Sequence, residues 1–212
     1  MLDKKRATQA EDKLLRRAEI LNAAAALFLE NDQQLPSVQA IASRAGLAKG
    51  TVYLYFRTKE EIFQALLESQ FSGLFEALGS ALRVGVPAMQ LSDLLVAYLR
   101  SQPAFLPLTA MAKSVIEQNL GLGCGESFKL QLARQLSDSA VLLEEAYPAL
   151  AGQGETLLLR TYALMMGLWQ MLDWPAQLKP LQQQPEFRAF ARDYYAELRD
   201  ALQMLWGSAL QS

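Results

Sequence analysis

At 212 residues the chain has room for one large or two small domains, and half of it is apolar, enough for a real core. The absence of histidine excludes Ser-His-Asp triads, Cys-His pairs and histidine-ligated zinc, and no apolar run approaches the roughly 20 residues of a membrane span. The net charge of −2 hides a split: residues 1–59 hold ten Lys/Arg against six Asp/Glu, a net of +4, while residues 60–212 hold ten against sixteen, a net of −6. A basic head on an acidic body suits a protein whose head alone meets phosphate.

The N-terminus, from Met1 through Lys4, Lys5 and Arg6, is charged and lacks the apolar core of a signal peptide, so a cytoplasmic location is expected. Two readings stand for this basic arm: a disordered terminus, or an arm that enters a minor groove. A first helix is predicted over 11–30, with Leu14, Ala18, Leu21, Ala25, Phe28 and Leu29 on one stripe. The polar run Asn31-Asp32-Gln33-Gln34 ends it. Pro36 and Ser37 open a second helix, with Ser37 as N-cap. A third covers 48–55. Thr58 caps a fourth, with Glu61 three residues on as a capping box.

The fourth helix is long, running through Ile62, Leu66, Leu74 and Leu78 until Gly85 and Pro87 stop it. Further helices are predicted over 91–100, 104–119, 126–145 and 155–172, with a last one from Pro185 to about 207. The glycines of 121–125 mark a loop, and Pro175 and Pro180 a connector. No segment alternates as a strand would, so the fold class is all-α. It divides into an N-terminal three-helix helix-turn-helix domain, 1–59 with the start of helix four to about 65, and a C-terminal helical domain, 60–212.

The stretch from Val38 to Phe56 carries the most information. Ala42 is small where two short helices cross, and Gly46 can take the positive φ of a sharp turn. Ile41, Val52 and Phe56 lock the pair together. Lys49, Gly50, Thr51, Tyr53 and Tyr55 are left to face outward, as on a helix placed in a DNA major groove. Lysine can donate to guanine O6 and N7, and the Thr51 and Tyr55 hydroxyls to phosphate. Gly50 lets the backbone approach closely. Lys59 sits at a helix N-terminus beside a flanking phosphate. Gln39 is a candidate base contact, Arg44 a candidate phosphate contact, and Ser37 a further candidate DNA contact. For Tyr53 and Tyr55, packing against the helices is the alternative to contact.

The run Gly46-Leu47-Ala48-Lys49-Gly50-Thr51-Val52-Tyr53-Leu54-Tyr55-Phe56-Arg57-Thr58-Lys59-Glu60-Glu61, with Ser37 and the Ile41-Ala42 pair before it, resembles the TetR/AcrR family of bacterial transcriptional regulators. Ala48 departs from the Ser or Thr often found there, which removes an N-cap or phosphate contact. The resemblance implies base contacts from Lys49 and Tyr53, and phosphate contacts from Thr51, Tyr55 and Lys59. It also implies a homodimer on a palindromic double-stranded DNA operator in the bacterial nucleoid, and a small-molecule effector of unknown identity bound in the body.

Chemistry in the body is otherwise excluded. No catalytic constellation, metal site, cofactor site or membrane partner emerges, and the glycines of 121–125 lack the lysine and the strand of a phosphate loop. Glu144 and Glu145 are adjacent on a helix and read as solvated surface. Cys124 cannot close an intramolecular disulfide; an inert loop residue and a redox sensor are its two readings. Tyr98, Phe105, Met111, Tyr162, Met165, Met166 and Trp169 are either the walls of a pocket for an apolar or amphipathic ligand or plain core. Gly167, Leu168 and Leu172, with Phe187, Phe190, Tyr194, Leu198, Leu202, Leu205 and Trp206, exceed what one side of an outer helix needs; the resemblance implies that these helices form the dimer interface, with Gly167, Leu168, Leu172, Phe190, Tyr194, Leu198 and Leu202 as its expected residues. The function expected is a ligand-released repressor. The alternatives are a DNA-binding activator or ligand-independent DNA organiser, and an all-helical carrier or adaptor.

Overall fold

The structure is a computed structural model; it describes the backbone of residues 2–112 and 122–211 and the side chains of 11–112 and 125–211. The side chains of Lys4, Lys5, Arg6 and Cys124, and residues 113–119 of the expected sixth helix, lie outside the described residues. Among those described, every regular element is helical: α1 (Leu2–Glu30), α2 (Val38–Arg44), α3 (Lys49–Tyr53), α4 (Lys59–Val84), α5 (Ala88–Ser101), α6 (Phe105–Met111), α7 (Leu122–Ala146), α8 (Gly154–Leu172) and α9 (Tyr194–Gln211), with short 3-10 turns at Pro148–Leu150, Lys179–Gln183 and Pro185–Phe190. Two compact units result: Met1–Gln70 with Pro103–Phe128, and Phe71–Gln102 with Lys129–Ser212.

In the first unit the crossing of α2 and α3 is built as the spacing predicts. Ile41, Ala42 and Val52 are fully buried, and Phe56 nearly so. Gly46 has φ +67, and two bonds close the end of α2 around it: Gly46 N–H to Ser43 O (3.2 Å) and Leu47 N–H to Ala42 O (2.9 Å). That pairing is a Schellman turn. Ser37 caps α2, its Oγ accepting from Ala40 N–H at 3.2 Å, whereas Ala48 gives α3 no side-chain cap. Thr58 Oγ1 accepts from Glu61 N–H (3.2 Å), and the Glu61 carboxylate accepts from Arg57 N–H (2.7 Å), one residue before the cap. Phe28 of α1 and Phe63 of α4 meet with ring centroids 5.9 Å apart.

The predicted apolar stripe of α1 is corrected by rotation. Leu14 and Leu29 are exposed, and Ile20, Leu21, Ala23, Ala24 and Phe28 form the buried side. α1 also begins at Leu2 rather than near residue 11.

In the second unit α9 packs on α8 and α5. Trp206 Nε1 donates to Thr161 Oγ1 (3.0 Å), Tyr194 donates to Met165 O (3.1 Å), and Arg199 pairs with Asp93 (2.7 Å). Burial drives the Tyr194 phenol far above its ordinary pKa. The last helix starts at Tyr194 rather than Pro185 because Asp193 caps it, accepting from Ala196 N–H at 2.8 Å. The preceding residues fold as 3-10 turns around Trp174, whose ring lies 5.5 Å from Phe187 and 5.6 Å from Phe190.

Two further expectations change. α7 starts at Leu122, so Gly123 and Gly125 form its first turn rather than a loop. A helix's first turn makes no intrahelical N–H bonds, which makes glycine a weak stop signal there. Glu144 is not merely solvated: its carboxylate accepts from Gly154 N–H at 2.8 Å and so caps the start of α8.

Two predictions follow from these turns. Gly46→Ala should cost about 1–2 kcal/mol, since only glycine occupies φ +67 without a Cβ penalty, and thermal unfolding measures it. Backbone N–H groups of Gly152 and Gly154 hold the Glu144 pKa below its ordinary value. A folded-state pKa lowered in this way stabilises the fold above the unfolded value of about 4.3, and that contribution fades as pH falls through the folded value. The Tm advantage of wild type over Glu144→Gln should therefore be full at neutral pH and shrink progressively below about pH 4.3.

Candidate functional site

Two features could meet something outside the chain, one in each unit. The first is the outer side of α3. With Val52 and Phe56 turned inward, Lys49, Gly50 and Tyr53 are exposed and Thr51 and Tyr55 are half-buried. The Lys49 ammonium lies 5.8 Å from the Tyr53 ring centroid, so the two share a flank, as residues four apart on a helix must. Lys59 is half-buried at the first position of α4. Gln39 is exposed on α2, and Arg44 is exposed but ion-paired to Glu30 at the end of α1. Ser37 spends its hydroxyl oxygen on the α2 cap. The structure thus gathers the nine sequence-predicted residues along α2, α3 and the start of α4.

Gly50 is exposed for no internal reason. Its φ is not left-handed, and a Cβ placed there would meet nothing within 4 Å. A glycine that neither turn geometry nor packing requires leaves the backbone open to close approach from outside. Leu54, which sequence reasoning passed over, is the other unexplained residue: it is 80% exposed immediately after α3. Its position two residues from Val52 and two from Phe56 was a legible signal.

The second feature is a cavity of about 240 Å³ within the second unit. Phe71, Leu74, Phe75 and Leu78 of α4, Leu91, Leu94 and Leu95 of α5, Leu132 and Leu136 of α7, and Leu158 and Met165 of α8 wall it, with Leu202 and Trp206 of α9. Its polar lining is mostly committed. Ser92 donates to Met89 O (2.9 Å), and Thr161 donates to Leu157 O (2.9 Å) while accepting from Trp206. Lys129, Leu159 and Tyr162 line it and are also solvent-exposed, which puts them at its mouth. Lys129 is the cation among the lining residues.

Of the seven sequence-predicted pocket residues, Tyr162 and Met165 line this cavity. Tyr98, Met166 and Trp169 belong to the same unit but are not in the wall; burial pushes the Tyr98 phenol up to about 12. Phe105 and Met111 belong to the other unit. The aliphatic walls from α4 and α5 were missed because leucines at helical spacing look the same whether they face a void or a neighbour.

The interface residues also divide. Leu198 and Leu202 are completely buried in the chain's own core, as is Tyr194 nearly, so they present no surface to a second copy. Phe190 packs half-buried on Trp174. Leu168 and Leu172 are half-buried, and Gly167 is exposed. The apolar surface left open on α8 is instead a row at four-residue spacing, Leu159, Ala163, Gly167 and Met171, with Met204 exposed on α9. Among the described residues no cluster of potential metal ligands occurs, and no helix is long and apolar enough to cross a membrane.

An all-helical chain with a helix-turn-helix near its N-terminus and a separate helical unit enclosing an apolar cavity has the plan of a one-component transcriptional regulator. Residues 20–66 match the family model of bacterial regulatory proteins of the tetR family, and residues 64–208 match that of the tetracyclin repressor-like C-terminal domain. The chain belongs to the TetR family of DNA-binding transcriptional regulators. The fatty acid metabolism regulator protein of Bacillus subtilis is 37% identical over 60 residues, 28% of this chain and 31% of that protein. The HTH-type transcriptional repressor KstR2 of Mycobacterium tuberculosis is 40% identical over 60 residues, 28% of this chain and 30% of that one. The chain thus matches about a third of the length of these relatives. The structure of the transcriptional regulator FadR from Bacillus subtilis in complex with stearoyl-CoA shares the fold, with a TM-score of 0.54, 18% identity, and coverage of 91% of this chain and 98% of that one.

The open surroundings of Gly50 make a sharp prediction. Gly50→Ala should leave the fold intact or raise its stability by up to about 1 kcal/mol, through helix propensity. If the outer side of α3 enters a DNA groove, it should at the same time weaken DNA binding, because the new methyl group would hold the backbone off the duplex. Thermal unfolding and a gel shift on the same preparation check the opposite signs.

Proposed function

We propose that the chain is a homodimeric repressor that leaves a palindromic operator when an amphipathic molecule with a long aliphatic part enters the cavity of the second unit. The functional division falls near residue 60, with DNA contact before it and ligand binding and dimerisation after it. The observation that carries the reading is α4 itself: Lys59 at its first position belongs to the DNA-facing set, and Phe71, Leu74, Phe75 and Leu78 further along it wall the cavity. A ligand that favours one setting of those four residues biases the helix that leads out of the helix-turn-helix.

Ligand class follows from the walls. Aliphatic and aromatic side chains supply burial and dispersion, their polar groups are already hydrogen-bonded, and Lys129 at the mouth suits an anionic head. The names of two similar proteins, a fatty acid metabolism regulator and a FadR bound to stearoyl-CoA, support an acyl chain or its thioester. Repression is the direction named for KstR2.

For DNA contact, Lys49 and Tyr53 are the proposed base readers, Thr51, Tyr55 and Lys59 the phosphate anchors, with Gln39 and Arg44 at the margins. Dimerisation uses the exposed row on α8 with Met204, rather than the buried residues of α9. Ala163 and Gly167 lie in its middle, where small residues let two helices approach closely, and exposed apolar rows of this kind mark interfaces. Two-fold symmetry then presents two recognition helices to half-sites about 34 Å apart, or slightly more.

Operator affinity measured at fixed salt should fall about 5- to 150-fold when stearoyl-CoA is added, while the fluorescence of a variant that keeps Trp206 and carries Trp169→Phe and Trp174→Phe changes in step. Equal affinity with and without an acyl ligand, across chain lengths, would end the allosteric reading. Gly167→Arg should leave the monomer folded, with its Tm unchanged or slightly raised through helix propensity, since a Cβ there meets nothing in the chain, yet shift the protein to monomer in sedimentation and abolish operator binding. A dimeric Gly167→Arg variant would move the interface elsewhere.

A further inference from the structure

The geometry points to Leu54 as a specificity-determining residue that reads thymine through its 5-methyl group at the centre of the outer face of α3. The inference rests on the DNA reading above and names the chemistry of one position within it. The helical path continues past Tyr53 as far as Phe56: Tyr55 N–H and Phe56 N–H both donate to Val52 O at 3.0 Å, and Leu54 itself is in the right-handed helical region. At about 100° per residue, Leu54 is therefore turned about 160° away from Val52 and, in the other sense, about 160° from Phe56. Those two are the buried residues, so Leu54 points straight out, and it is 80% exposed.

Gly50 lies one turn earlier on the same line and carries no side chain. The middle of the face is therefore a bare backbone followed by an aliphatic group, set between the Lys49–Tyr53 flank and the Thr51–Tyr55 flank. Nothing inside the chain asks for this arrangement: no neighbour packs on a Cβ at position 50, and Leu54 contributes little to the core. In the major groove an aliphatic side chain has one base-edge feature to recognise, the thymine methyl. The other bases present donors and acceptors that leucine would strip of water and leave unpaired. Gly50 brings the helix near enough for the branched end of Leu54 to cover that methyl.

The test uses duplexes enriched from a randomised double-stranded pool by the full-length wild-type chain. Each thymine is then replaced by deoxyuridine, which removes the methyl alone. At fixed salt, one thymine per half-site should weaken wild-type binding about fourfold when replaced, and the symmetric pair roughly fifteenfold, the worth of one and two buried methyl groups. Leu54→Ala, with unchanged circular dichroism and Tm, should be indifferent to the same replacement. Wild type indifferent to every deoxyuridine, or a Leu54→Ala variant that keeps the full penalty, overturns the assignment while leaving DNA binding standing. A pool that yields no enriched sequence defeats the DNA reading itself, and this assignment with it.

Discussion

The outer surface of α3 depends on the burial of Val52 and Phe56. α3 is five residues long, far below the length at which a helix holds itself together in water, so it exists only because one side is pressed into α2 and its neighbours. Burying those two side chains fixes the rotation of the segment, and the rotation decides which groups are displayed. Lys49 and Tyr53 fall on one flank, Tyr55 on the other, and Gly50 and Leu54 at the crest. The Gly46 turn sets where the segment starts and the Thr58 cap sets where the next helix begins. A recognition element this short is positioned wholly by its anchors.

The second unit solves a different problem. Its walls are apolar enough to leave a cavity unfilled, yet the Ser92 and Thr161 hydroxyls and the Trp206 indole that line it already have partners. Trp206 donates to Thr161, and Thr161 donates onward to Leu157. For the proposed acyl ligand, entry there gains mainly burial and dispersion, so affinity should track chain length rather than polar detail. α9 carries much of this construction. Its buried row of Tyr194, Leu198, Leu202 and Trp206 closes the unit from within, which is why an aromatic-rich final helix is core here rather than interface. The apolar surface that remains exposed is smaller in its side chains and sits on α8.

α4 contributes to both units without a break in its helix. A continuous run of intrahelical hydrogen bonds resists local unwinding, and the proposed allostery would act through a bias applied at Phe71 to Leu78. Regulation in such a protein needs no large motion, only two settings of one helix that a ligand binds unequally.

The sequence by itself determined the all-helical class, the helix-turn-helix, its turn at Gly46 and its cap at Thr58. Each of these rests on interactions between residues a few positions apart, and local spacing records such interactions directly. The family was equally legible, because the steric demands of a short crossing leave few residue choices between Ile41 and Phe56. Tertiary structure alone decided which apolar rows face a cavity, which face a core and which face solvent. Leucines on α4 and α5, the buried row of α9 and the exposed row of α8 share one helical periodicity, and hydrophobicity is non-directional. The cap from Glu144 to Gly154 was hidden for the same reason: its two residues meet only once α7 and α8 have turned back on one another.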